Sequence, residues 1–181
     1  MNNAYIPFPS EIQEVIRHTK KEYTFRMHFE GEVKPGQFFE VSVPKYGEAP
    51  ISVSGIGKDY VDLTIRKVGR VTGEVFEKYE GQSLLLRGPY GNGFDVDLYK
   101  GVETVVVAGG TGVSPVRGVI EALSNLPDAS DKYAIAGFRS PEDMLLREDL
   151  KNWEKKIHLI LTVDQAPEGY DGNIGLVTKY I

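Results

Sequence analysis

Thr104-Val-Val-Val-Ala-Gly-Gly-Thr-Gly-Val-Ser-Pro115 joins an uncharged apolar run to a glycine-rich turn. Thr104 to Ala108 reads as a strand covered by helices on both faces, because a strand with one wet face would alternate polar and apolar residues. After the turn, Ser114 as N-cap and Pro115 as first helical residue predict a helix running to about Leu126. Next comes a strand, Tyr133 to Phe138. Ser140-Pro-Glu-Asp143 then offers the same cap, with acids in the first turn, and opens a helix predicted to reach Trp153. A strand from Ile157 to Val163 completes β-α-β-α-β, the order of a parallel sheet, and Gly172 to Lys179 opens a further element.

Upstream the period changes from continuous to two. Tyr23, Phe25, Met27 and Phe29 alternate with polar residues, as do Phe39, Val41 and Val43, and again Val61, Leu63 and Ile65. These read as half-buried antiparallel strands with polar outer faces. Turns at Lys34-Pro-Gly36 and Gly55-Ile-Gly57 keep them short, which predicts a small barrel. The expected domains are residues 1–98 and 102–181, with the boundary near Asp97 to Gly101.

The 181 residues are 41% hydrophobic and 26% charged, enough to build a packed core. A net charge of −5 with no basic block disfavours a nucleic-acid partner. No run is long and apolar enough for a membrane span, and the N-terminus lacks a basic, then apolar, leader, so a cytoplasmic location is expected. The chain has no cysteine, which excludes disulfides, thiolate zinc sites and cysteine-held iron-sulfur clusters within it. His18, His28 and His158 show no metal spacing.

Four segments can carry chemistry, each with a plain structural alternative. Gly109, Gly110, Thr111 and Gly112, followed by Pro115, let a backbone approach an anion at a helix start, or simply make a tight strand-to-helix turn. The spacing fits neither a P-loop nor Gly-x-Gly-x-x-Gly. Val68-Gly-Arg-Val-Thr72 precedes a helix over Gly73 to Tyr79 that Thr72 can cap; Arg66 and Arg70 lie close in sequence, although such arginines are commonly just solvated. Gly47-Glu-Ala-Pro-Ile-Ser-Val-Ser54 places Pro50 in a strand-like run, the mark of an edge or broken strand. Arg87-Gly-Pro-Tyr-Gly-Asn-Gly-Phe94 reads by itself only as a tight connection.

Taken in order, Pro-Gly-Gln-Phe, Ala-Pro-Ile-Ser, Val-Gly-x-x-Thr, Gly-Pro-x-Gly-Asn-Gly and Gly-Gly-Thr-Gly-x-x-Pro resemble the ferredoxin-NADP reductase superfamily over nearly the whole chain. Gly47 to Ser54, Ile65 to Thr72 and Val106 to Val116 look most like the electron-transfer flavoprotein subunit of anaerobic sulfite reductase. Dihydroorotate dehydrogenase electron-transfer subunits and hydrogenase gamma subunits are close relatives of that family.

The resemblance implies a two-lobed β plus α/β fold: a small antiparallel FAD-binding β-barrel, then a parallel-sheet nucleotide-binding lobe whose C-terminal part is expected to be missing. It implies FAD on Pro50, Ile51, Ser52, Val53, Ile65, Arg66, Lys67, Gly69, Val71, Thr72, Gly91, Asn92 and Gly93, with Ser52 as the catalytic residue near flavin N5. NADH, or NADPH, would lie on Gly109, Gly110, Thr111, Gly112 and Pro115 and pass hydride to the flavin, so no general acid or base is required. The superfamily's usual arginine before the proline is Ala49 here. The family's [2Fe-2S] centre would belong to a C-terminal region that this chain does not contain. Implied partners are the iron-sulfur and siroheme subunits of sulfite reductase. Alternatives are service to dihydroorotate dehydrogenase or a hydrogenase, a flavin reductase releasing reduced flavin, and a docking module that has lost its flavin.

Overall fold

A computed structural model describes residues 5–127 and 131–181. The chain divides after Gly93 into two compact units.

The first unit is a closed barrel of β1 (Phe8–Arg17), β2 (Glu22–His28), β3 (Phe38–Val43), β4 (Gly47–Ile56), β5 (Tyr60–Arg66) and β6 (Ser83–Tyr90), in the spatial order β1-β2-β5-β4-β3-β6. The period-two residues fill it: Phe25, Met27, Phe39, Val41, Leu63 and Ile65 are buried. The helix α1 (Arg70–Lys78) closes one side with Val75 buried and Phe76 stacked on Tyr23, ring centroids 4.4 Å apart.

The outer faces of β2 and β5 differ from the polar, solvated surface that the alternation predicts, because Thr24, Asp62 and Thr64 are also buried. Each of their polar groups is satisfied in place. Ser54 Oγ donates to the Asp62 carbonyl (3.0 Å) and Thr64 Oγ1 donates to Ser54 Oγ (2.8 Å). Thr64 has then used its proton, so Thr24 Oγ1 must donate to Thr64 (2.8 Å), and His18 Nε2 to Thr24 (2.7 Å). Asp62 is held by Arg26 through Nε at 2.9 Å and Nη2 at 3.2 Å, with the guanidinium 4.0 Å from the Tyr60 ring centroid. Burial of short hydroxyls costs little when every one has a partner, which is why an alternating strand reads as solvated yet is not.

The second unit is a four-stranded sheet, β10-β9-β8-β7, made of β7 (Thr104–Gly109), β8 (Lys132–Phe138), β9 (His158–Val163) and β10 (Asn173–Ile174), all parallel. The segment at Gly172 to Lys179 supplies β10 and a 3-10 turn, Val177–Lys179, whose Val177 packs over Gly137. α2 (Val113–Ser124) and α3 (Arg147–Trp153) carry Val113, Ile120, Leu150 and Trp153 into the core. No helix among the described residues is long and apolar enough to cross a membrane.

Three expectations change. β7 pairs only with β8 among the described residues, and Val105 and Val107 remain 50% and 38% exposed, so this apolar strand is an edge with one face open instead of a strand covered on both sides. α2 starts earlier than Ser114 predicts: a 3-10 turn over Gly110–Gly112 runs straight into it, Gly112 is the N-cap, and Pro115 falls in the first turn, where an amide has no intrahelical acceptor to lose. The helix expected from Ser140 to Trp153 is split into a 3-10 turn, Pro141–Asp143, and α3, because Leu146 takes a left-handed φ of 52° and turns both it and Leu145 into the core.

The hydroxyl ladder yields a non-additive prediction. Thr64→Val leaves the Thr24 proton without its acceptor and Ser54 without its donor, and should cost about 1–3 kcal/mol in denaturant unfolding. Removing all three hydroxyls together in Thr24→Val/Ser54→Ala/Thr64→Val should cost less than the sum of the three single changes. Additive losses would refute the coupling.

Candidate cofactor sites

The barrel's seam is at β4. Gly47 to Ser52 pair with β3 only, whereas pairing with β5 begins at Val53 and then shifts register around Ser54. Pro50, which has no amide to donate, therefore lies where β4 is an edge, as its presence in the sequence predicts. The hydroxyl of Ser52, half-buried on this stretch, makes no hydrogen bond to any described residue and is available to a ligand.

The first turn of α1 packs beside the start of the same strand, with Val71 Cγ2 3.8 Å from the position a Cβ on Gly47 would occupy. Here too the capping differs from expectation. Gly69 is the N-cap, and Thr72, two residues into the helix beyond Arg70, reaches back: its Oγ1 accepts from the amides of Val68 and Gly69, both at 3.0 Å, and donates to the Gly69 carbonyl at 3.3 Å. The amides of Arg70, Val71 and Thr72 are thereby left without an intrahelical acceptor and point out of the helix start. A Cβ on Gly69 would meet nothing within 4 Å. An open hollow lined by Lys67, Val68, Gly69, Arg70, Gly73, Glu74 and Glu77 adjoins this turn, the two carboxylates being paired with Lys78 and Lys67.

Gly91, Asn92 and Gly93 follow β6 and sit against the segment before β3. Gln37 Nε2 donates to the Gly91 carbonyl (2.7 Å), and a Cβ on Gly93 would lie 2.6 Å from Lys34 Cβ. This connection thus has a packing reason for its glycines, with φ of 85° and 69°. Nearby, Arg87 donates to Glu48 (2.6 Å) and to Tyr90 Oη (2.9 Å). The guanidinium, and after it the Ser42 hydroxyl, hold the Glu48 carboxyl below its usual range.

In the second unit, Gly109, Gly110 and Gly112 each face open space where a Cβ would stand, and Gly110 needs its φ of 54°. Ser114, in the first turn of α2, is buried, and its Oγ has no hydrogen-bond partner among the described residues. A buried hydroxyl without a partner beside three open glycines fits a bound anion. Ser114 was legible in the sequence as a cap only; its lack of a partner needed the structure. Among the described residues no cluster of His, Asp or Glu could hold a metal.

Residues 106–181 match the family described as the oxidoreductase NAD-binding domain. The fold of the chain is ferredoxin-NADP reductase-like. It is 36% identical to sulfhydrogenase 2 subunit gamma of Pyrococcus furiosus over 87% of this chain and 56% of the relative. It is 32% identical to a probable dihydroorotate dehydrogenase B (NAD(+)) electron transfer subunit of the same organism, over 89% of this chain and 60% of the relative. The chain thus spans a little over half the length of these relatives. Among solved structures, the ferredoxin reductase of carbazole 1,9a-dioxygenase superposes with a TM-score of 0.82 at 20% identity, covering 96% of this chain and 55% of that one. An NADH-dependent reduced ferredoxin-NADP oxidoreductase gives 0.79 at 23% identity, covering 99% and 63%. At these identities the superpositions speak for the two-lobed fold.

The Glu48 pair predicts a pH dependence. A carboxyl held below its unfolded value stabilises the fold above about pH 4.3, and that contribution is lost as pH falls through the lower, folded value. Glu48→Gln should therefore lower the thermal midpoint at neutral pH, with the gap from the parent closing in acid. A gap that widens in acid would refute the assignment.

Proposed function

We propose that the chain is the flavin- and nicotinamide-binding part of an electron-transfer subunit, taking electrons from NADH through FAD to a redox partner. The observation that carries this reading is a pair of glycine turns, one in each unit, each opening a helix, each with empty space at its Cβ positions. Both expose backbone amides that suit a pyrophosphate.

FAD would be held by the edge stretch Pro50, Ile51, Ser52 and Val53, by Ile65, Arg66 and Lys67 at the end of β5, by Gly69, Val71 and Thr72 at the start of α1, and by Gly91, Asn92 and Gly93. When bound it supplies the change between two-electron and one-electron chemistry. Ser52 offers a free hydroxyl to the cofactor, Thr72 fixes the turn whose amides face phosphate, and the unpaired edge of β4 lets the ring approach main chain. Gly109, Gly110, Thr111, Gly112 and Pro115 would hold the nicotinamide dinucleotide, with Ser114 Oγ as a further donor. NADH is favoured over NADPH because two carboxylates, Glu142 and Asp143, follow β8, and Asp143 already engages Ser140 (2.9 Å), where a 2'-phosphate would need cations and free hydroxyls.

For the partner, the run Gly47-Glu-Ala-Pro-Ile-Ser-Val-Ser54 supports anaerobic sulfite reductase, with its iron-sulfur and siroheme subunits as acceptors. The relatives' names support a hydrogenase or dihydroorotate dehydrogenase in the same role. Cysteine ligands for a [2Fe-2S] centre are absent from this chain, so onward transfer would use groups outside it.

Protein mixed with FAD and desalted should be yellow, and anaerobic NADH should bleach it. A protein that takes up neither cofactor overturns the reading and favours the docking module, to which Ala49 is suited. A finer test is Gly109→Ala. Its backbone φ of −124° is open to any residue and the new methyl meets no protein atom, so the thermal midpoint should hardly move. NADH should nevertheless bind roughly tenfold more weakly because the methyl occupies ligand space. Unchanged NADH affinity would remove this turn from the site.

A further inference from the structure

A dinucleotide pyrophosphate carries two negative charges, and this protein has a net charge of −5, so local cations must offset the repulsion. Around the start of α1 and the open edge of β4 most cations are already committed. Arg66 pairs with Glu22 (3.2 Å), Lys67 with Glu77 (2.9 Å), Arg87 with Glu48 (2.6 Å), and Lys78 with Glu74. Ala49, on the edge itself, has no charge to give.

Arg70 differs. It is the first residue of α1, is exposed, and has no carboxylate within ion-pair distance among the described residues. Its guanidinium rests 5.9 Å from the Tyr46 ring centroid, against the turn that leads into Gly47 and the edge stretch of β4. The next residue, Val71, packs at Gly47, so the helix start and the strand start are neighbours and Arg70 stands where they meet. An arginine stacked lightly on an aromatic ring keeps its five N–H donors free, and its fork matches phosphate oxygens in pairs.

Resting on the flavin reading above, we infer that Arg70 is the cation that engages the FAD pyrophosphate. Tyr46, which Lys78 Nζ also approaches at 5.6 Å, flanks the side chain, and the amides of Arg70, Val71 and Thr72 complete the donor set. Arg66, which lies near the same turn in sequence, is paired with Glu22 through Nε.

The test compares FAD with riboflavin, which has the ring system and no phosphate, by flavin fluorescence titration of the full chain. Arg70→Gln should weaken FAD about tenfold or more, leave riboflavin affinity unchanged and flatten the salt dependence of FAD binding, while Arg70→Lys recovers part of the loss. Arg66→Gln should have a smaller effect. An Arg70→Gln protein that binds FAD as tightly as the parent overturns the inference alone, as does equal weakening of FAD and riboflavin or a larger loss from Arg66→Gln. A parent protein that binds no flavin overturns the flavin reading and the inference together. Circular dichroism melting of each variant separates loss of ligand from loss of fold, since Arg70 is exposed and Arg70→Gln should melt with the parent.

Discussion

The first unit depends on where β4 parts from β5. A barrel closes only if every strand finds two neighbours, yet Gly47 to Ser52 have β3 alone. Two local features force the parting: Pro50 has no amide to give a second ladder, and the register shift around Ser54 breaks the pairing that begins at Val53. What results is a closed barrel with a short length of unpaired edge. An unpaired edge is ordinarily a liability, and here it is kept to a few residues and flanked by the first turn of α1. The features that the proposed flavin site would use follow from that arrangement: main chain without a partner, a free Ser52 hydroxyl, and a helix start whose amides are unused.

The buried polar ladder shows how the barrel tolerates the parting. Ser54, at the register shift, would be a stranded hydroxyl on a disturbed strand. It instead donates to the Asp62 carbonyl and accepts from Thr64, so the irregularity is tied to β5 by side chains where main-chain pairing lapses. Arg26 on Asp62 extends the tie to β2. The same groups that look like a solvated face in sequence are thus the fastening of the seam.

Much of this is legible in the sequence. The alternation of Tyr23 to Phe29 and of Val61 to Ile65 marks barrel strands because the core reads only one face of each. The uncharged run Thr104 to Ala108 followed by glycines marks the turn before α2, since few sequences permit such close main-chain approach. Pro50 locates the edge by itself. What is not legible depends on neighbours distant in sequence. Thr24 and Thr64 lie forty positions apart, and nothing local says that their hydroxyls meet. Thr72 reads as a cap in any helix-start pattern, and only the fold shows it reaching back to Val68 and Gly69. The break at Leu146 is a left-handed φ of 52° at a non-glycine residue, which no local pattern signals; it leaves Leu145 and Leu146 both buried.

β7 joins these observations. Its apolar run predicts cover on both faces, yet the described residues cover only one, leaving Val105 and Val107 largely open on a strand without charge or proline to protect its edge. The residues after the strand are nonetheless set firmly: Gly110 adopts its positive φ, the 3-10 turn flows into α2, and Val113 is fully buried as the anchor of that helix. The glycine turn is therefore positioned by β8 on one side and α2 above, and its geometry does not rest on what lies across the open edge. An anion site of this kind can be formed by part of a parallel sheet, because its donors belong to the helix start and its shape to the turn, both of which are complete within residues 104–124.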